Sequence, residues 1–231
     1  MKFNFVEGEI LLIDKPLEWT SFDVIGAIRP AIRKICRSKT IKIGHAGTLD
    51  PMATGLLIIC TGPFTKRINE FQDMAKEYTG RIRLGATTPS FDLETEVDQT
   101  FPVEGIKEND IARSVNRLVG TYLQVPPNFS AVKVDGKRAY KLARKDKDIA
   151  IAPRKVSVFD FDITDYRDQE VYFRIVCSKG TYIRSIARDL GILLGCGGYL
   201  TALRRTRTGN FHVNNAISIV ELREILSKEI K

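Results

Sequence analysis

The segment "GHAGTLDPMATG" (44–55) sets one carboxylate, Asp50, and one imidazole, His45, among glycines and small residues, directly ahead of the apolar run "LLIIC". The nearest acids along the chain are Asp23 and Glu70. A carboxylate so isolated, beside a strand with the composition of a buried one, is either the cap of a turn ahead of Pro51 or a group with a chemical role.

Other familiar chemistries are excluded by what the chain lacks. There is no G-x-x-x-x-G-K-[ST] phosphate loop and no G-x-G-x-x-G fingerprint, and "GCGG" (195–198) revives neither. His45 and His212 are the two histidines, which rules out a multi-His metal site, and a G-x-S-x-G elbow is missing. Cys36, Cys60, Cys177 and Cys196 are widely spaced without C-x-x-C, so they are expected as small buried hydrophobes rather than a disulfide framework or zinc ribbon. Catalysis, if any, must therefore rest on carboxylate, Tyr, Lys or Arg.

Charge points to the partner. The 231 residues carry 36 Lys and Arg against 28 Asp and Glu, a net charge of +8. The excess is clustered in "RKICRSKTIK" (33–42), "KVDGKRAYKLARKDK" (133–147) and "LRRTR" (203–207). Separated basic clusters suit a long polyanion better than one small anion, the alternative being a solvated basic surface. No apolar run approaches the ~20 residues of a membrane helix. Glu7, Glu9 and Asp14 interrupt the N-terminal segment, unlike a secretory signal. A cytoplasmic location is expected.

These groups need a scaffold, and the patterning supplies an α+β one. "GEILLIDKP" predicts a strand stopped by Pro16, and Thr20 with Asp23 a capping box that starts a helix, which Pro30 should kink or split. "GLLIICTG" reads as a buried strand and "EYTGRIRLG" as an alternating one. Asn109 to Val119 predicts a helix closed by Gly120. "VSVFDFDIT" and "EVYFRIVCSKG" predict a hairpin, followed by a helix from about Tyr182 to Leu194, a strand at "GNFHV" and a helix over Ser218 to Ile230. Strands outnumber βαβ units, so the sheet should be mixed or antiparallel with helices on it.

At this point a family resemblance becomes visible. "GHAGTLDPMATGLL" closely resembles the catalytic motif of the TruB family of tRNA pseudouridine synthases. The similarity continues in the family's order through "LLIDKPLEWTS", "TKRINEFQDMAKEYTGRIRLG", "PNFSAVKVDGKRAYKLAR" and "CSKGTYIRSIARDLGILLGCGGYLTALRR". It implies the pseudouridine synthase fold, a mixed and mainly antiparallel sheet flanked by helices. One catalytic domain would span 1–231, with a basic RNA-binding insertion at about 125–153. It also implies conversion of the T-loop uridine, tRNA position 55, without cofactor or metal.

The resemblance assigns roles residue by residue. Asp50 is implied as the essential carboxylate, attacking C1′ or stabilising an oxocarbenium-like centre. Arg184 is implied as its ion-pair partner, Tyr78 as the ring that stacks on uracil and takes a proton, and Tyr182 as a hydrogen-bonding group near the reaction centre. His45 would fill the space left by the flipped base, Leu203 would close one wall, and Asp92 would lie near the RNA. Gly44 and Gly47 would keep the loop slim for a close RNA backbone. Lys15, Lys133, Lys137, Arg138, Lys141, Arg144, Lys179 and Arg205 are candidate phosphate contacts.

Two features depart from the family pattern. "TTPSFDLET" lacks the common Asp and Gly flanks around Asp92, and no C-terminal PUA domain is expected. The implied partner is the T-arm of tRNA, bound by a monomer needing no protein partner or membrane, with a possible tRNA-folding role besides. Two other readings compete. One is an RNA-binding module with vestigial chemistry; the other is a glycosidic-bond hydrolase, which lacks the usual second carboxylate.

Overall fold

The computed structural model describes residues 3–130, 132–134, 136–139, 142 and 151–229. Lys141 and Arg144 lie outside the described residues. The elements in chain order begin with β1 (Ile10–Lys15), α1 (Ser21–Ile35), β2 (Ile43–Ala46), β3 (Ala53–Thr61), α2 (Ile68–Asp73) and β4 (Lys76–Leu84). They continue with β5 (Ala86–Thr87), β6 (Gln99–Thr100), α3 (Glu108–Asn116), β7 (Gly120–Gln124), β8 (Lys133–Val134), β9 (Lys137–Arg138), β10 (Arg154–Arg167) and β11 (Glu170–Cys177). The last are α4 (Ile183–Leu194), β12 (Gly198–Thr208), β13 (Phe211–His212), β14 (Ile217–Ser218) and α5 (Ile219–Glu229). Two compact units result, Met1–Tyr78 with Arg204–Lys231, and Thr79–Leu203. The chain passes between them inside β4 and inside β12, so no Gly, Pro or Ser-rich linker marks the division.

In the first unit the strand order is β14-β1-β3-β12, with β2 on β3 and β13 on β12. β1 runs antiparallel to β3 with Leu12 opposite Ile58, and parallel to β14 with Ile13 opposite Ile217. The run "LLIIC" is continuous because β3 is buried on both faces. Leu57 and Ile59 pack with Leu11 and Ile13 of β1, Val24, Ile28 and Ile32 of α1, and Leu222 and Leu226 of α5. Leu56, Ile58 and Cys60 pack on the other side with Phe71 and Val213. Each such side chain contributes about 1.5–3 kcal/mol relative to exposure.

Helix α1 opens with the expected capping box: the Asp23 N–H donates to Thr20 Oγ1 at 3.0 Å and the Thr20 N–H to Asp23 Oδ2 at 2.8 Å. Pro30 does not split it. The N–H that proline lacks would have met the carbonyl of Gly26, and both residues are exposed, so that acceptor faces solvent while the buried face holds the helix.

In the second unit the order is β12-β4-β11-β10-β7. β10 pairs antiparallel with β11 as the predicted hairpin, and with β7, where Arg154 faces Gln124 and Val158 faces Gly120. α3 ends at Asn116, short of the prediction; Gly120, at φ 108°, opens β7 instead of closing the helix. α4 matches its prediction and ends on left-handed Gly195. It lies directly on the next segment, since a Cβ on Gly191 would fall 2.2 Å from the Gly197 carbonyl carbon. β12 was not predicted, while "GNFHV" contributes a strand of Phe211–His212 alone. The described part of the basic insertion holds a small antiparallel ladder, with Lys133 opposite Arg138 and Val134 opposite Lys137. Among the described residues, no helix is long and apolar enough to cross a membrane.

Candidate active site

Asp50 sits half-buried on the loop between β2 and β3. A loop leaves backbone polar groups without ladder partners, and each must find another. Here they find side chains. Ser21, at the start of α1, accepts from the Leu49 N–H at 2.8 Å and donates to the Leu49 carbonyl at 3.2 Å. The residue before Asp50 is thereby fixed at both its polar atoms. The Pro51 carbonyl accepts from the Glu18 N–H at 2.9 Å, and the Ala53 N–H donates to the Asp50 carbonyl at 3.1 Å.

Lys15 and Arg205 correct the phosphate-contact expectation. Lys15 is 0 % exposed, and its Nζ donates to the carbonyls of Pro16 at 2.8 Å, Trp19 at 2.5 Å and Pro51 at 3.4 Å. Burial lowers its pKa to about 8, with attraction from Asp50 the largest opposing influence. Arg205 is 1 % exposed and donates through Nε to the Leu56 carbonyl at 2.7 Å and through Nη2 to Gly47 at 3.1 Å. Both cations are turned inward onto the Asp50 loop and its flanks, so neither is available to a phosphate.

The glycines have a cause inside the protein as well. A Cβ on Gly44 would fall 2.7 Å from Ile68 Cδ1, and one on Gly55 2.3 Å from the Arg205 carbonyl oxygen. The slimness attributed to an approaching RNA is thus required at Gly44 by α2, while Gly47 meets a positive φ of 92°. His45, on β2, is half-buried; burial and then Arg205 push its pKa below the ordinary histidine range, against a smaller pull from the Gly47 backbone. Its ring is therefore neutral at pH 7. Tyr78, on β4, is 8 % exposed.

In the second unit, α4 presents Tyr182 at its N-cap and Arg184 in its first turn. Arg184 is 3 % exposed; Nη1 donates to the Ser90 carbonyl at 3.1 Å and Nη2 to Phe129 at 2.9 Å, while Nε faces Asp92 Oδ2 at 3.5 Å. Asp92 is itself held, accepting at Oδ1 from Ser90 Oγ at 2.6 Å and from the Glu94 N–H at 2.9 Å. Asp92 is buried, with its carboxylate turned onto Arg184. Phe91, between Ser90 and Asp92 in the chain, has a φ of 62°, an uncommon conformation for a large side chain. Leu203 is half-buried on β12 and Lys179 is exposed in the turn before α4.

The sequence reading missed Ser21 and Gln124. Gln124 is 1 % exposed and hydrogen-bonds the Tyr182 backbone, an amide with no periodicity to mark it. Lys15 did carry a signal, because the alternation Leu11, Ile13, Lys15 puts it on the core-facing side of β1. Among the described residues, no group of His, Cys, Asp or Glu is arranged to hold a metal ion.

The mixed sheet with helices on it is an α+β architecture, and comparison with known proteins assigns it to the pseudouridine synthases. Residues 33–183 match the model of the TruB family pseudouridylate synthase N-terminal domain, and residues 184–230 that of the tRNA pseudouridylate synthase B C-terminal domain. The chain belongs to the TruB family. It is 53 % identical over 224 residues to the tRNA pseudouridine synthase B of Flavobacterium johnsoniae, covering 96 % of this chain and 98 % of that one. The protein of the same name from Phocaeicola vulgatus is 50 % identical over 226 residues, 98 % of this chain and 96 % of that one. A solved Cbf5-Nop10-Gar1 complex contains a chain similar at 27 % identity with a TM-score of 0.71; the match covers 95 % of this chain but 54 % of that one.

Proposed function

We propose that this chain isomerises the T-loop uridine at position 55 of tRNA to pseudouridine. The observation that carries the reading is Asp50 on a loop gripped by buried side chains, in a chain of the TruB family. The reaction breaks the N1–C1′ bond, turns the uracil and forms a C5–C1′ bond; the C5 proton is lost and N1 gains one. It balances without oxidant, metal or cofactor. Asp50 either attacks C1′ or stabilises an oxocarbenium-like centre as a glycal forms.

The remaining roles follow from the family pattern. Arg184 supplies the cation that offsets the Asp50 charge, Tyr78 stacks on the extruded base and takes the proton, and Tyr182 hydrogen-bonds near it. The neutral His45 ring suits stacking in the vacated space, since it carries no charge to desolvate. Leu203 closes the wall. Phosphate contacts fall to Lys133, Lys137, Arg138, Arg144 and the exposed Lys179. The protein acts as a cytoplasmic monomer on the T-arm.

Pseudouridine mapping on a T-arm stem-loop RNA tests this. Wild type should convert the T-loop uridine, and Asp50→Asn should bind the RNA but lose about 10³-fold or more in rate. Release of free uracil would mark a hydrolase, and tight binding without product from either protein would leave a binding module.

A further inference from the structure

Tyr182 is seated by one rung of the β7–β10 ladder. Gln124 and Arg154 are directly opposed across that ladder, so their side chains share a face of the sheet. Gln124 accepts from the Tyr182 N–H through Oε1 at 2.9 Å and donates from Nε2 to the Tyr182 carbonyl at 3.2 Å, mimicking a strand partner with a side-chain amide. The Arg154 guanidinium lies over the Tyr182 ring, 5.3 Å from its centroid. The next residue of β7's exit, Val125, takes the Ser185 hydroxyl through its carbonyl at 2.8 Å, tying down the same turn of α4.

A structural explanation alone would ask only that the Tyr182 N–H find an acceptor. The N-cap of α4 has no side-chain cap, and any acceptor would serve. Instead both backbone atoms and the ring of one residue are gripped from one rung. We propose that Gln124 and Arg154 are positioning residues for Tyr182 in the isomerisation, fixing its backbone and its ring respectively. This rests on the pseudouridine synthase reading above.

A double-mutant cycle with single-turnover rates on the T-arm RNA tests it. Gln124→Met should slow isomerisation about tenfold with RNA affinity nearly unchanged, because a small misplacement of a reacting group is enough. In a Tyr182→Phe background the same change should have almost no further effect. Gln124→Glu adds a pH signature: the protonated carboxyl can both accept and donate, whereas the ionised form cannot donate to the Tyr182 carbonyl. Its rate should therefore fall as pH rises through that titration, a step absent from wild type. Additive losses in the cycle, or a Gln124→Glu profile parallel to wild type, would overturn the proposal. Amide hydrogen exchange separates this from failure of the functional reading. If wild type makes no pseudouridine, faster exchange at Tyr182 in Gln124→Met still upholds the clamp, and equal exchange refutes it.

Discussion

The Asp50 loop and the Arg184 side chain are fixed by different kinds of contact. Along the Asp50 loop, side chains take hold of the backbone: Ser21 takes both polar atoms of Leu49, Lys15 reaches Pro51 and Arg205 reaches Gly47. Around Arg184 the grip is on the head group, which donates to the Ser90 and Phe129 carbonyls and faces Asp92. The difference follows from side-chain length. An aspartate has two torsions, so fixing its backbone nearly fixes its carboxylate. An arginine carries about 2 kcal/mol of rotamer entropy, and fixing its Cα would leave the guanidinium free. Tyr182, short in torsions but large, is held at both backbone and ring.

The comparison breaks most visibly at Arg205. Arg205→Met keeps the bulk but removes the donors to Leu56 and Gly47, leaving buried acceptors unmet. We expect a loss of about 3 kcal/mol in urea unfolding and, on the proposed function, an equally severe loss of isomerisation, because the backbone next to Asp50 has been released. A stable but inactive Arg205→Met would show that the arginine acts on substrate after all.

Asp92→Asn should separate the two regions. The amide is nearly isosteric, and its Oδ1 can still accept from Ser90 and Glu94, so stability should fall by about 2 kcal/mol or less. The charge that orients Arg184 Nε is gone, however, and the rate should fall more than stability does. Equal falls in both would make Asp92 a fold residue and not a head-group anchor. Single-turnover rates beside urea curves distinguish the outcomes.

How far the sequence anticipates these two regions depends on residue type. Apolar period and capping chemistry made β1, α1, β3, β4, the β10–β11 hairpin and α4 legible, because burial and hydrogen-bond deficits act locally. The motif around Asp50 was legible too. The grips were not: Arg205 looks like a surface charge, and although alternation sets Lys15 on the core-facing side of β1, charged side chains are almost never buried unpaired. Their partners are carbonyls, which leave no trace in composition. β12 was hidden for a related reason: "ALRRTRT" alternates without an apolar face, although Arg205 and Thr208 within it are buried. Gln124 stands just before "VPP" and reads as part of a loop, yet it is the last residue of β7.

The smallest effect at neutral pH, and the sharpest test of the backbone grip, is expected at Lys15. Lys15→Met removes three donations to carbonyls but also removes a charge that burial disfavours, so near pH 7 the two changes should largely offset, leaving about 1 kcal/mol or less. The balance shifts with pH. With a folded pKa of about 8 against 10.5 in the open chain, both states hold the proton below pH 8 and this group contributes no slope. Between about 8 and 10.5 the unfolded chain binds more protons than the folded one, so wild-type stability gains from this lysine as pH rises. The full gain is up to about 3 kcal/mol. Other titrations cancel when the two proteins are compared at each pH, so wild type should pull ahead of Lys15→Met steadily from pH 8 to pH 10 in urea unfolding. Parallel curves would mean that the carbonyls of Pro16, Trp19 and Pro51 fully replace water around the ammonium. The grip on the Asp50 loop would then carry no electrostatic cost.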